Sequence, residues 1–418
     1  MTSTDRPVRV LYSFPHKLGA SRICTTAWHQ VDGLAAAGAD VLAFPGVLHK
    51  PVAANVKVRP TLARGKLRIP YKALGRMRAL ALHDFIVARR IEKIADQIDI
   101  IHTWPLGALL TLKTAAKLGI PTVLERPNAH TRFAYEVVQR ECDRLGVPLP
   151  PNHEHAFNPR VLAREEEEYE LANWLLCPSE FVARTFVDNG FRPEKLLRHQ
   201  YGFDHNLFFP GENTRENDKG LTVLFAGGCA PRKGLHYALD AWLQSEAHKE
   251  GRFLIAGAFV PGYAERLSPQ LSHPSVKLLG HRSDIPDLMR QSHVLILPSI
   301  EEGSALVTSE ARGCGCVLLV SDAAGAICEH GKNALVHSVG DVQTLTQHLD
   351  LVTRDRRLLL KFSQASLETV DQITWAAAGR KLEQVYRQVR CKPAKSGFGS
   401  DENASRYSRG SGAINHIG

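Results

Sequence analysis

The chain has 418 residues, 44% of them hydrophobic and 23% charged, with a formal net charge of +9. That size allows two or three domains of roughly 150 residues, each with its own core, and the balance excludes a disordered chain. The positive charge favours anionic partners: phosphates, a membrane surface or nucleic acid. The eight cysteines form no Cys-x-x-Cys pair and show no zinc spacing, which argues against a disulfide framework or a structural zinc site. Every apolar run is broken well short of ~18 residues, and residues 1–7 lack the apolar stretch of a signal peptide. Reduced thiols and a cytoplasmic location are expected.

Short β-rich runs alternate with amphipathic stretches. Residues 8–14 read as a first strand, 25–37 as a helix closed by Gly38, and 41–44 as a second strand. Further strands are expected at 98–102 and 122–125, with a helix over 106–118 between them and a stop at Gly119-Ile120-Pro121. The pattern then restarts. Strands are expected at 221–226, 253–256, 294–297 and 317–320, and helices at 235–244 and 305–312. A last helix is expected over 375–389. Such βαβ alternation predicts an α/β chain of two doubly wound, Rossmann-like domains facing a central cleft. The boundaries follow: an N-terminal domain at 1–209, a polar linker at 210–220, a C-terminal domain at 221–372, a terminal helix at 373–390, and a disordered Ser/Gly/Lys-rich tail at 391–418.

Absent motifs narrow the chemistry. There is no Gly-x-Gly-x-x-Gly after a strand, no Walker A sequence, no Gly-x-Ser-x-Gly elbow and no Asp-x-Asp pair. Two segments carry positive signal. In residues 224–235 a strand ends in Gly227-Gly228, and Arg232-Lys233 precede a helix; glycines admit a ligand close to the backbone, and two cations can neutralise a diphosphate. In residues 297–315 a strand ends at Pro298, a small-residue loop follows, and a helix starts near Ala305. Amides at a helix N-terminus bind phosphate. Glu302 and Glu310, with seven residues between them, could bracket an elongated ligand, with carboxylates accepting from sugar hydroxyls.

This order of segments resembles the retaining GT-B glycosyltransferases of family 4, over roughly residues 8–390 and most specifically over 222–341. The resemblance implies that Glu310 holds the ribose hydroxyls and that Glu302 meets the donor sugar. It implies that Lys233 contacts the diphosphate beside Arg232, and that the amides of Ser304, Ala305 and Leu306 cradle the distal phosphate. Gly228 stands where the family has Arg, with Arg232 as the substitute charge; Ala305 replaces a Gly and Val307 a Pro.

In the first half, residues 16–22 match the small-residue loop beneath the donor phosphates, with Gly19 as a donor contact and Arg22 as a further candidate. Residues 125–130, Glu-Arg-Pro-Asn-Ala-His, resemble a segment of a bacterial subgroup and make His130 the counterpart of its active-site histidine. His102 is the weaker alternative. Trp28 and Trp104 read as core, and the acidic run at 165–168 as a solvated helix face. Eleven Lys or Arg lie between residues 57 and 93 against Asp84 and Glu92, with apolar residues at helical spacing. That reads as a basic amphipathic helix for an anionic membrane surface; no nucleic-acid module is visible.

The resemblance implies a metal-independent transferase, without cofactor, that moves a sugar from a nucleoside diphosphate sugar to a glycan or lipid-linked hydroxyl acceptor with retention. It would work in polysaccharide biosynthesis, cytoplasmic and at the inner face of the membrane. Catalysis would involve His130 and Glu302. A nucleotide-sugar epimerase and a non-catalytic partner subunit are the alternatives.

Overall fold

A computed structural model of the chain describes residues 6–65, 67–69, 74–151, 153–211 and 220–390. The expected tail at 391–418 and most of the expected linker lie outside them. The first half builds a seven-stranded sheet from β1 (Arg9–Leu18), β2 (Asp40–Leu48), β3 (Lys57–Val58), β6 (Ile100–Thr103), β7 (Thr122–Glu125), β8 (Trp174–Cys177) and β9 (Leu196–Arg198). Their spatial order is 3-2-1-6-7-8-9, all parallel. A small hairpin of β4 (Ala63–Arg64) and β5 (Leu67–Arg68) stands apart. The second half builds a six-stranded parallel sheet from β10 (Thr222–Ala226), β11 (Arg252–Ala256), β12 (Val276–Gly280), β13 (Val294–Leu297), β14 (Val317–Ser321) and β15 (Ala334–His337), in the order 12-11-10-13-14-15. Strands β6, β7, β8, β10, β13 and β14 are buried at every position, as continuous apolar runs between two helical layers should be.

Both sheets match the expected double winding, and most expected elements fall within a few residues of their predicted bounds. One difference bears on the site. β1 does not end at Phe14 but runs to Leu18, with a register shift between Phe14 and Lys17. Pro15 cannot donate to the ladder, and the irregularity lets the strand resume beside Val47 and Leu48. The turn is therefore confined to residues 19–22, where Gly19 and Arg22 both have positive φ.

The chain crosses between domains twice, and the two crossings are bonded together. Phe203 N donates to Ile373 O at 3.3 Å, and Trp375 N donates to Phe203 O at 3.4 Å. The helix Trp375–Arg390 then returns to the first domain. It meets the helix Ile23–Ala36 where Gly33 faces Gly379, a contact that a Cβ on either would crowd. Leu382, Val385, Tyr386 and Val389 complete the core formed by Val8, Val10, Tyr12 and Val31.

The acidic run is only half solvated. On the helix Pro159–Leu171, Glu166 and Glu167 face outward to Arg132 and Lys113. Glu165 pairs with buried Arg126, and Glu168 accepts from the amides of Leu106 and Ala108. Glu168 and Asp84 together satisfy the start of the helix Leu109–Leu118. Among the described residues of the basic segment, Arg76–Ile94 forms a long helix, while Lys57–Val58, Ala63–Arg64 and Leu67–Arg68 pair as strands.

Candidate active site between the domains

The site is built where β10 and β13 end. After β10, Pro231 opens a single 3-10 turn, Pro231–Lys233, which Gly234 closes with φ +67°. A side chain at Gly234 would overlap the Pro298 carbonyl, so this turn lies directly on the end of β13. Ile300 N donates to Arg232 O at 2.9 Å and fixes that contact. Arg232 and Lys233 are thereby aimed at the loop after β13. Lys233 Nζ is paired with Glu302 Oε1, and Arg232 Nη1 lies 3.1 Å from Glu302 Oε2 and 3.3 Å from Glu301 Oε2. Burial opposes ionisation of Glu302, but the two cations outweigh it and hold its pKa below the ordinary carboxylate range. The site thus sets two cations against two carboxylates.

The first domain closes over this cluster. Gly303 lies so near the Pro127 carbonyl that a Cβ there would overlap it. Ser179 Oγ donates to Gly303 O at 2.6 Å, and Ala129 N donates to Glu301 Oε1 at 3.2 Å. His155, on the loop after the helix Thr131–Leu145, places Nε2 3.0 Å from Glu301 Oε2. A second contact crosses the seam further out, where His236 Nε2 lies 2.8 Å from Glu141 Oε1 and Tyr237 Oη donates to the same oxygen.

The structure brings together Arg232, Lys233 and Glu302 of the expected set. Gly228 borders open space, since a Cβ there would meet nothing within 4 Å. The helix Leu306–Gly313 starts one residue later than expected. The amides of Ser304 and Leu306 have no acceptor among the described residues, but Ala305 N donates to Ala324 O at 3.2 Å and is already committed. The Glu310 carboxylate is partly buried and has no hydrogen bond or ion pair among the described residues; burial raises its pKa to about 7. It is an unspent acceptor.

Other expected residues lie elsewhere. Gly19 packs against Lys50 and Trp28 within the first domain, because β1 extends past the expected loop. The His130 ring is 2% exposed and packs edge-on to Tyr169 and Phe186, with centroids 5.3 and 5.0 Å away. Burial, helped by Arg126 and Arg132, lowers its pKa to about 3. The backbone beside it, at Ala129, reaches the cluster, while its imidazole does not contact the cluster. His102 is fully buried, stacked on Tyr12 and bonded to Tyr386, so it belongs to the core. Trp104 is core as expected, and Trp28 lies beneath Lys50 at 3.5 Å.

Comparisons with known proteins show the family and the fold. The family described as Glycosyltransferase Family 4 matches residues 25–206, and the one described as Glycosyl transferases group 1 matches residues 220–355. The chain belongs to these GT-B glycosyltransferases. It is 23% identical over 308 residues to the UDP-Gal:alpha-D-GlcNAc-diphosphoundecaprenol alpha-1,3-galactosyltransferase of Escherichia coli, covering 70% of this chain and 76% of that one. It is 27% identical over 276 residues to the D-inositol 3-phosphate glycosyltransferase of Mycolicibacterium smegmatis, covering 60% and 59%. Among solved structures, Anabaena HepE in complex with UDP superposes with a TM-score of 0.63 at 19% identity, covering 91% of this chain and all of that one. The sucrose-phosphate synthase of Thermosynechococcus elongatus gives 0.66 at 18% identity, covering 92% and 99%. At these identities the structural likeness is one of fold. Sequence reasoning about this glycosyltransferase missed Glu301 and His155; the only signal was an extra acid beside Glu302 and a His-Glu-His loop at 153–155.

Proposed function

We propose that this glycosyltransferase moves a sugar from a nucleoside diphosphate sugar to a hydroxyl on a lipid-linked glycan, with retention at the anomeric carbon. The observation that carries the reading is the pairing of Arg232 and Lys233, which follow open Gly228 in sequence, with Glu302, which precedes the helix that carries the unpartnered Glu310 carboxylate. A diphosphate would take over both cations and release Glu302 toward the sugar hydroxyls. Ser304 and Leu306 would donate to the distal phosphate, and Glu310 would accept from the ribose. As the bond from the anomeric carbon to the diphosphate oxygen breaks, Arg232 and Lys233 stabilise the departing charge. The acceptor oxygen bonds to the same face of that carbon, and its proton passes to the departing diphosphate. His130 contributes through the loop it anchors, its ring remaining neutral, and the closed seam at Gly303 keeps water from the donor. The two cations supply the charge that a metal would otherwise bring, so activity is expected to survive EDTA.

The acceptor assignment draws on the relatives, two of which are named for diphosphoundecaprenol-linked substrates. It also draws on the surface. The helix Arg76–Ile94 exposes Arg76, Arg78, Arg89 and Arg90 with Met77 and Phe85, a pattern suited to an anionic membrane face. Among the described residues no helix is long and apolar enough to cross a membrane. A location at the inner face of the membrane and a role in polysaccharide assembly follow. The test is calorimetry with UDP-, GDP- and ADP-sugars with and without EDTA, followed by transfer to a polyprenyl-diphosphate-linked sugar and assignment of product anomericity by NMR. Binding of one nucleotide sugar with transfer and retained configuration is expected; failure of all three donors to bind overturns the reading. Vesicles of phosphatidylglycerol should retain the chain, and replacing Arg76 and Arg78 by Ser should release it.

A further inference from the structure

Glu301 differs from its neighbour in what it touches. All described partners of the Glu302 carboxylate belong to the second domain: Lys233, Arg232 and Ser299. Glu301 is fully buried and joins three separate pieces of chain. Its carboxylate accepts from Ala129 N at 3.2 Å and from His155 Nε2 at 3.0 Å, both in the first domain. Its third partner is Arg232, whose Nη1 also donates to the Glu301 carbonyl oxygen at 2.8 Å. A buried carboxylate with three donors is a fixed object. The charged and titratable groups around it are His155, Arg232 and Glu302, with Glu154 on the same loop as His155. Burial opposes its ionisation, and the His155 bond and Arg232 outweigh that opposition, holding its pKa at about 2.

We propose that Glu301, held by His155, is a positioning residue that makes placement of the Arg232 guanidinium depend on closure of the first domain over the second. The proposal rests on the donor-site reading above. When the diphosphate displaces Glu302, Arg232 keeps one fixed anchor, at Glu301, and that anchor is itself set by the 127–130 and 153–155 loops. With the seam closed the guanidinium is pinned beside Lys233. With the seam open Glu301 loses both first-domain donors, and Arg232 has only a loose carboxylate to orient it. Donor chemistry is thereby tied to the closed state, in which water is excluded.

The experiment uses the full chain with the nucleotide sugar that binds it most tightly among UDP-glucose, UDP-galactose, GDP-mannose and ADP-glucose. Glu301→Gln, His155→Ala, the double variant and His155→Gln are compared in transfer kinetics and melting temperature. Each of the first two is expected to lower kcat/KM for the donor roughly 10- to 100-fold, as a misplaced catalytic contact does, while the acceptor KM moves less than about twofold. The double variant should be no worse than the worse single by more than about twofold, because the two act through one contact. His155→Gln, which can still present an amide N–H to Glu301, should recover most of the His155→Ala loss. Singles within about twofold of the parent, additive losses, or no rescue by Gln overturn the proposal. If His155→Ala does not fold, Glu301→Gln and His155→Gln decide between the same outcomes. If the unaltered chain binds no donor in the panel, the proposed function falls and this inference with it; if it binds and turns over and the variants match it, only this inference falls.

Discussion

Two of the buried carboxylate clusters among the described residues serve opposite ends. In the first domain Glu125 is fully buried and accepts from Gln30 at 2.9 Å, His199 at 2.9 Å and Tyr201 at 2.8 Å, with His102 at 3.6 Å. Around that shell, Tyr12 bonds Gln30 and Trp104, and Tyr386 bonds His102, so the network ends on the returning terminal helix. All of these groups lie on the first domain or on the helix that completes it. At the seam, Glu301 and Glu302 are buried as well, but the Glu302 carboxylate is paired with two cations that a diphosphate can claim. Buried charge alone therefore does not mark a site. The seam cluster has exchangeable partners and spans two bodies; the core cluster has neither property.

Four measurements break or sharpen that contrast. Replacing Glu125 by Leu strands the donors of His199, Tyr201 and Gln30 and should cost about 3–5 kcal/mol in urea unfolding; the donor affinity of the fraction that stays folded should be unchanged. Lys233→Ala should lower transfer by roughly 10²–10³-fold, as loss of one stabilising charge does, with little change in unfolding free energy. Gly303→Ala pushes a methyl group into the Pro127 carbonyl, so the domains must part. Transfer should fall by about 100-fold, while a nucleotide without a sugar still binds the second domain. The smallest effect is in pH dependence. Glu310, raised to about 7 by burial, offers both oxygens as acceptors to the two ribose hydroxyls only when ionised. Donor affinity should be full above that value and weaken by up to about tenfold per unit as pH falls below it, and Glu310→Gln should flatten the profile. The same shift means that the protonated form favours folding, a contribution present in acid and lost as pH rises through about 7. If Lys233→Ala unfolds the chain, or Glu125→Leu removes donor binding, the two clusters are not distinct in the way drawn here.

The second domain was far more legible in the sequence than the first. Gly227-Gly228, Arg232-Lys233 and Glu302 sit within a few residues of strand ends, and the parallel sheet brings strand ends together by construction. Glu302 and Glu310, with seven residues between them, are joined only by a loop and the first turns of a helix, so their relation is set locally. The first domain's contribution depends on which loop reaches across, and no local rule sets that. Glu125-Arg126 and His130 lie in a segment that does reach the seam, yet their side chains turn inward: Arg126 onto Tyr169 at 4.2 Å, and His130 into the aromatic cage beside it. The backbone between them makes the contact instead. His155 comes from a polar loop with no motif at all, and its partner became visible only once the two domains were placed together.

The returning helix Trp375–Arg390 has a consequence for how the protein is made. Residues near 382–389 finish the core that residues 8–31 begin, so the earliest part of the chain cannot complete its own packing when it leaves the ribosome. At about 5–20 residues per second, the interval between the end of the first domain and the arrival of its last helix is roughly 10–40 s. Through that interval the nascent first domain carries an apolar groove beside Gly33 and a buried His102 without its Tyr386 partner, and a translational pause or a truncation after the second domain would leave both uncovered.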